Sequence, residues 1–316
     1  MKKRNLSFLS NDGITKIHAV CWMPDGEYRK KPKAVVQLVH GMVEYIERYD
    51  AFATYLTEQG IVVVGHDHLG HGQSVTSVEK WGYIAEDNPA GTLIKDMHKL
   101  RLGIQKSYKG VPYIMLGHSM GSYLLRRYLS VDGPESTLDG AIIVGTGSEP
   151  DTITKPALTL VRGMAKAKGW DYRSEQIRDL TYNGPYKKYD CTGEDITNSW
   201  VCSDPEIMAK YYSDERCTFL FTLNGYEALL STVMYDNNPK KIDKIKKTLP
   251  ILITSGELDP VGNMGKGVKD VYKKFVKAGI QDVECKLYPN DRHEILNEKD
   301  KYEVYADIYA WIEKHL

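Results

Sequence analysis

Cysteine is scarce in this sequence and nowhere paired. The five residues, Cys21, Cys191, Cys202, Cys217 and Cys285, are odd in number, widely scattered and without a C-x-x-C, which excludes a disulfide framework or a zinc knuckle as the organising device. Reduced, mostly buried thiols are expected. An excess of one charge is also missing. The 42 Lys and Arg balance 42 Asp and Glu, so no global field draws the chain onto nucleic acid or an anionic membrane. The substrate is not expected to be a polyanion. No apolar run approaches the roughly 20 residues of a membrane span, and Met1–Ser10 carries basic residues without the apolar stretch of a secretory leader. The expectation is a cytoplasmic enzyme with no integral membrane segment. Neither G-x-x-x-x-G-K-[ST] nor a strand-linked G-x-G-x-x-G occurs, which removes nucleotide chemistry. Internal repeats, low-complexity tracts and Gly/Ser linkers are absent as well.

What is present is an alternation. Short apolar runs rich in β-branched residues, Ala34–Val39, Ile61–Gly65, Tyr113–Leu116, Ala141–Val144, Ile251–Thr254 and Val283–Leu287, are separated by longer segments of helical period. Several of the runs are apolar throughout, as strands are when helices cover both faces of a parallel sheet. This is the pattern of parallel strands joined by crossover helices. The stretch before Pro24 offers an antiparallel hairpin at one edge.

Helix ends are readable too. Asn88-Pro89 supplies a cap and a first-turn proline ahead of Leu93, Met97, Leu100 and Ile104. Val268, Val271, Tyr272, Phe275 and Val276 form a second apolar face closed by Gly279, and Val304, Ile308, Trp311 and Ile312 a third. The rhythm breaks between Val144 and Ile251, where no parallel-strand signal appears. Residues 1–149 and 239–316 are therefore read as a core, and 150–238 as a helical insertion. Within it Asp204-Pro205 predicts a helix start, and Phe219, Leu220, Leu223, Tyr226, Leu229, Leu230 and Val233 follow at helical spacing. A face this apolar either packs on the core or lines an acyl pocket.

The sharpest local feature is Gly117-His118-Ser119-Met120-Gly121, a G-x-S-x-G that follows the strand Tyr113–Leu116 and precedes the helical run Tyr123–Leu129. A strand-to-helix elbow needs small neighbours so that the serine can take a strained, exposed backbone conformation. The helix that starts there turns its first N–H groups and positive dipole end toward the serine, where an oxyanion would develop. A serine hydroxyl is a weak nucleophile, so it needs a histidine base and an acid, which follow such a serine in the order acid, then histidine. His293 and His315 come late enough. His315 is penultimate in a terminal helix, which leaves His293, in a polar loop beyond Val283–Leu287. For the acid, Gly256-Glu257-Leu258-Asp259-Pro260 follows Ile251–Thr254 at the carboxyl edge of the sheet, where active sites of open α/β sheets collect. Asp259 is favoured, with Glu257 and Asp291 as rivals. The oxyanion hole takes the N–H of Met120 and, from the earlier strand-end segment His40-Gly41-Met42, the N–H of Met42. His66, His68 and His71 resemble a metal cluster by composition alone. They lack a cysteine or distal carboxylate at ligand spacing, so no metal is expected.

Together these segments resemble the monoacylglycerol lipase and lysophospholipase group of α/β-hydrolases, which is grouped with the serine aminopeptidase-like hydrolases. The resemblance spans nearly the whole chain: His40–Glu44 at the oxyanion loop, Gly65–Ser74 after the next strand, Gly117–Gly121 at the elbow, Gly256–Val261 at the acid, and Arg292-His293-Glu294 at the base. His68 departs from the group, which usually has arginine there. The resemblance implies the α/β-hydrolase fold, with an eight-stranded mostly parallel sheet flanked by helices and a helical cap, no cofactor, and cleavage of ester bonds. It also supports Asp259 as the acid.

The expected substrate is a small-molecule ester with an apolar acyl group, cleaved through an acyl-enzyme on Ser119. An amidase, a peptidase or an acyltransferase could use the same residues, and a catalytically weak binding module or sensor is the reading from another class. A homo-oligomer is left open. Activity is expected to fall as pH drops through about 6 to 7, because a protonated imidazole of reference pKa near 6.5 cannot act as base.

Overall fold

Eight strands form one sheet in the computed structural model, which describes all 316 residues. They are β1 (Lys2–Leu9), β2 (Lys16–Met23), β3 (Val35–Val39), β4 (Val62–His66), β5 (Tyr113–His118), β6 (Gly140–Val144), β7 (Ile251–Gly256) and β8 (Val283–Tyr288). The spatial order is β1-β2-β4-β3-β5-β6-β7-β8. β1 and β2 make the expected antiparallel hairpin, β2 pairs antiparallel with β4, and every later pairing is parallel. The six predicted strands all form, with ends displaced by one or two residues. β3 to β7 are buried at every position, which is why their sequences carry no polar alternation.

The helices are α1 (Asp50–Glu58), α2 (Pro89–Ser107), α3 (Met120–Asp132), α4 (Asp151–Lys168), α5 (Glu175–Thr181), α6 (Pro205–Ser213), α7 (Leu223–Asp236), α8 (Pro239–Ile242), α9 (Lys266–Lys277) and α10 (Lys301–Lys314). α1 and α10 bury their apolar stripes on one face of the sheet. α2, α3 and α9 cover the other, so the core has two layers separated by the strands. Leu93, Met97, Leu100 and Ile104 of α2 are buried as their spacing requires, and the Asn88 side chain caps the helix by accepting from the Gly91 N–H.

The thiols are free and mostly buried, as expected: Cys21, Cys202 and Cys217 are buried, Cys191 partly so, and Cys285 is exposed. Two expectations need correction. Val276 lies on the outer side of α9, 47% exposed, so that stripe is narrower than the sequence suggested. The helical run read from Phe219 begins only at Leu223, because the Thr222 hydroxyl caps α7 by accepting from the Gly225 N–H. Phe219 and Phe221 are thereby released from the helix and face the cavity described below.

No strand lies between β6 and β7, and α4 to α8 occupy that interval. α7 lies across α2 and α3 and pairs with α4. No helix is long and apolar enough to cross a membrane.

Candidate active site

β3 and β5 are parallel neighbours, with Val39 level with Gly117, so the segments leaving their carboxyl ends meet. Ser119 sits at that junction as the N-cap of α3, with φ 54° and ψ −123°. This left-handed backbone is costly for a side chain with a Cβ and is held only by surrounding structure. The Ser119 N–H donates to the Val144 carbonyl on β6 at 3.0 Å, and its own carbonyl accepts from the Ser122 N–H at 2.8 Å. Both flanking glycines are required by close approach. A Cβ on Gly121 would overlap the Val39 carbonyl oxygen, and one on Gly117 the Gly121 carbonyl oxygen.

The Gly41 backbone lies beside the serine: a Cβ there would stand 3.0 Å from the Cβ of Ser119. His40 orders this loop. Its Nδ1–H donates to the Gly41 carbonyl at 2.8 Å, and its Nε2 accepts from the His68 N–H at 2.9 Å. Neither the Met42 N–H nor the Met120 N–H donates to a protein acceptor. For Met120 this follows from its place as the first residue of α3, where N–H groups have no intrahelical partner.

His293 and Asp259 come from loops after β8 and β7. The His293 Nδ1 lies 3.0 Å from Oδ2 of Asp259, and both side chains are buried. The Asp259 carboxylate also accepts from the Ser255 hydroxyl and the Val261 N–H, each at 2.8 Å. Burial pushes this carboxyl up, but the facing imidazole and those two donors outweigh burial and hold it below its usual range. Glu257 is exposed. The buried carboxyl of Asp291 is pushed up to about 8 by burial and by Asp300 and Glu298. His315 pairs with Asp282 at 3.1 Å, at the opposite end of β8. Of the three candidate acids, Asp259 alone faces His293.

Ser119 and His293 border one cavity of about 280 Å³, whose wall includes Met42, Tyr182, Trp200 and Phe221. The Ser119 hydroxyl makes no hydrogen bond within the protein. Such contacts are commonly long before substrate binds.

Several residues at the site went unread in the sequence. The buried Glu44 carboxylate accepts from the Gly41 N–H at 2.5 Å and the Tyr49 hydroxyl at 3.0 Å, and pairs with Arg48 at 3.1 Å. Arg48 also forms a bidentate pair with Glu294, at 2.6 and 2.7 Å. The oxyanion loop and the loop of His293 thus share one ionic anchor. The i, i+4 spacing of Glu44 and Arg48 was visible, but it reads as an exposed helical pair. His118 was read only as part of the elbow. Its Nδ1 faces Glu44 at 3.3 Å and its Nε2 the His293 carbonyl at 3.2 Å. Two acceptors are met together only by two N–H groups, which favours the imidazolium form. Burial opposes that charge, but Glu44 outweighs burial and the His118 pKa is raised.

His40, His66, His68 and His71 gather behind the oxyanion loop, with the His68 ring 4.3 Å from His40 and 4.9 Å from His66. Their donor atoms do not converge on a point. Three metal-capable groups do converge at Asp282, Glu284 and His315, far from Ser119.

The family model described as "Serine aminopeptidase, S33" matches residues 30–300. The chain belongs to this family. It is an α/β-hydrolase of the monoacylglycerol lipase group. The hydrolase is 41% identical to a monoglyceride lipase homolog of Monkeypox virus over 285 residues, 89% of this chain and 90% of the relative. It is 26% identical to a monoacylglycerol lipase of Mycolicibacterium smegmatis over 314 residues, 98% and 97% of the two chains. Among solved structures, a thermostable carboxyl esterase from Bacillus coagulans, in complex with glycerol, superposes with TM-score 0.88 at 30% identity, covering 99% of both chains.

Proposed function

We propose that this α/β-hydrolase cleaves carboxylic esters through an acyl-enzyme on Ser119, with a monoacylglycerol-like or other medium-size apolar ester as substrate. The protein is a carboxylic ester hydrolase by its relatives and structural neighbours, which are named monoglyceride lipases and esterases. One observation carries the mechanism. The strained Ser119 borders the same cavity as an imidazole whose far nitrogen is held by a buried carboxylate.

In the proposed sequence Ser119 Oγ attacks the acyl carbonyl while His293 Nε2 takes its proton. The tetrahedral oxyanion is received by the Met42 and Met120 N–H groups. His293 then protonates the leaving alcohol, and water releases the acid by the reverse proton path. Asp259 keeps the proton on Nδ1, so that Nε2 is free to act as base. Loss of one oxyanion donor typically costs about 10²–10³ in rate. Residues 150–238 are proposed as a cap over the acyl chain, supported by the aromatic side chains they contribute to the cavity wall. A cytoplasmic location is supported by the scattered, unpaired cysteines.

A fluorophosphonate probe tests the nucleophile. Wild type should be labelled and Ser119→Ala should not, with kcat on 4-nitrophenyl esters falling on the order of 10⁶-fold while the protein stays folded. Labelling that persists in Ser119→Ala would exclude the assignment, and faster turnover of aminoacyl amides than of esters would move the substrate class to amides.

A further inference from the structure

Between Tyr189 and Ser203 the chain runs as an irregular strap whose hydrogen bonds go to two loops at the sheet edge. The Tyr189 hydroxyl donates at 2.8 Å to the carbonyl of Leu258, the neighbour of Asp259. The N–H of Glu294, the neighbour of His293, donates at 2.8 Å to the Val201 carbonyl. The Arg292 guanidinium donates to the carbonyls of Thr197, Ser199 and Cys202 and lies over the Tyr189 ring. Glu298 accepts from the Ser203 N–H at 2.9 Å and from the Arg292 N–H at 3.0 Å. The loops carrying Asp259 and His293 are therefore bonded to one and the same segment.

Trp200 projects from the middle of the strap. Its ring centre lies 5.1 Å from that of His293, with the planes 35° apart. Tyr186 packs against it edge-on at 5.2 Å, and Tyr182 lies at 6.0 Å. The charged and titratable groups around the His293 ring are Asp259 on Nδ1 and His118, 4.6 Å away between rings, with Glu44 behind it. Glu294 is turned to Arg48. An imidazolium at His118 repels the charge that His293 acquires when it takes the serine proton. The indole face of Trp200 attracts it, as aromatic faces attract cations within about 6 Å.

We propose that the strap 189–203 is a positioning element of the reaction centre, not a piece of a movable lid, and that Trp200, packed at a tilt against His293, fixes the imidazole and stabilises its cation. This rests on the serine hydrolase reading. The remainder of the cap is free to differ in its behaviour, because only the strap is bonded to both loops.

The test uses Trp200→Leu and Trp200→Phe in the full chain, with kcat and KM for 4-nitrophenyl butyrate measured across the pH range of the imidazole. Trp200→Leu should lower kcat roughly 3- to 30-fold, the span expected for a lost cation–π contact, with KM nearly unchanged. Trp200→Phe, which keeps an aromatic face, should recover most of that loss. Unchanged kcat in Trp200→Leu, or a loss confined to KM, overturns the proposal. Tryptophan emission gives a readout independent of turnover, because a protonated imidazole quenches an indole packed against it. Trp311, which lies tilted against His315 at 4.4 Å between ring centres, is first replaced by Phe. Emission in that background should rise with pH, and the rise should vanish when either Trp200→Phe or His293→Ala is added. A rise that survives both additions also overturns the proposal. If wild type resists the fluorophosphonate, the hydrolase reading falls, and the emission titration still decides whether Trp200 and His293 are coupled.

Discussion

Nδ1 of His293 stands 3.0 Å from Oδ2 of Asp259, with the carboxylate wholly buried and the imidazole nearly so. In a site this dry the carboxylate can do two things at once. It selects the tautomer that leaves Nε2 bare, and it offsets the positive charge that appears when Nε2 accepts a proton.

Replacing Asp259 with Asn separates these effects from packing. The amide is close to isosteric: its Oδ1 can still accept from the Val261 N–H, while its NH2 takes the place of Oδ2 and donates to the Ser255 hydroxyl oxygen. It can also donate to Nδ1, which shifts the imidazole proton to Nε2. We expect kcat to fall about 10⁴-fold, with near-native circular dichroism. Equal activity in Asp259→Asn would mean that another group orients His293.

Acid stability should be governed by the histidines behind the oxyanion loop. Burial, and then the neighbouring His40, push His66 and His71 down to about 3. In the unfolded chain a histidine titrates near 6.5. Between these limits the unfolded chain binds protons that the folded protein does not. Stability from these groups is therefore complete above about pH 6.5 and is lost as pH falls toward 3, by up to about 1.4 kcal/mol per pH unit per histidine. Urea midpoints at pH 7.5 and 5.0 should differ more for wild type than for His66→Leu. The same pH dependence in both proteins would remove His66 from this role.

Arg48 bridges Glu44 and Glu294, and all three side chains are at least nine-tenths buried. Arg48→Met keeps the volume but leaves two carboxylates without their shared cation. Breaking a buried pair from one side typically costs about 3–5 kcal/mol, and urea denaturation should show a loss of this size. kcat should fall too, because Glu44 also holds the Gly41 N–H next to Met42. A loss below about 1 kcal/mol would mean that the network behaves as a solvated surface cluster.

Much of this protein was legible because the informative signals are local. Unalternating apolar runs mark strands covered on both faces, Asn88-Pro89 and Asp204-Pro205 mark helix starts, and G-x-S-x-G marks an elbow that only small neighbours permit. The order serine, acid, histidine could also be read along the chain. Four features are not local. The choice among Asp259, Glu257 and Asp291 depends on which carboxylate the loop after β7 turns toward His293. The partnership of Glu44, Arg48 and Glu294 joins positions some 250 residues apart. The raised pKa of His118 arises because two acceptors from different loops meet its ring. The packing of Trp200 against His293 links an irregular strap, without periodicity of its own, to a loop more than 90 residues further on. Sequence alone determined the elements and the types of chemistry they carry, since backbone preference and hydrophobic spacing act over a few residues. Only the tertiary structure decided which charges and rings face one another, because buried electrostatics depends on distance and exclusion of water, and neither is written in sequence spacing.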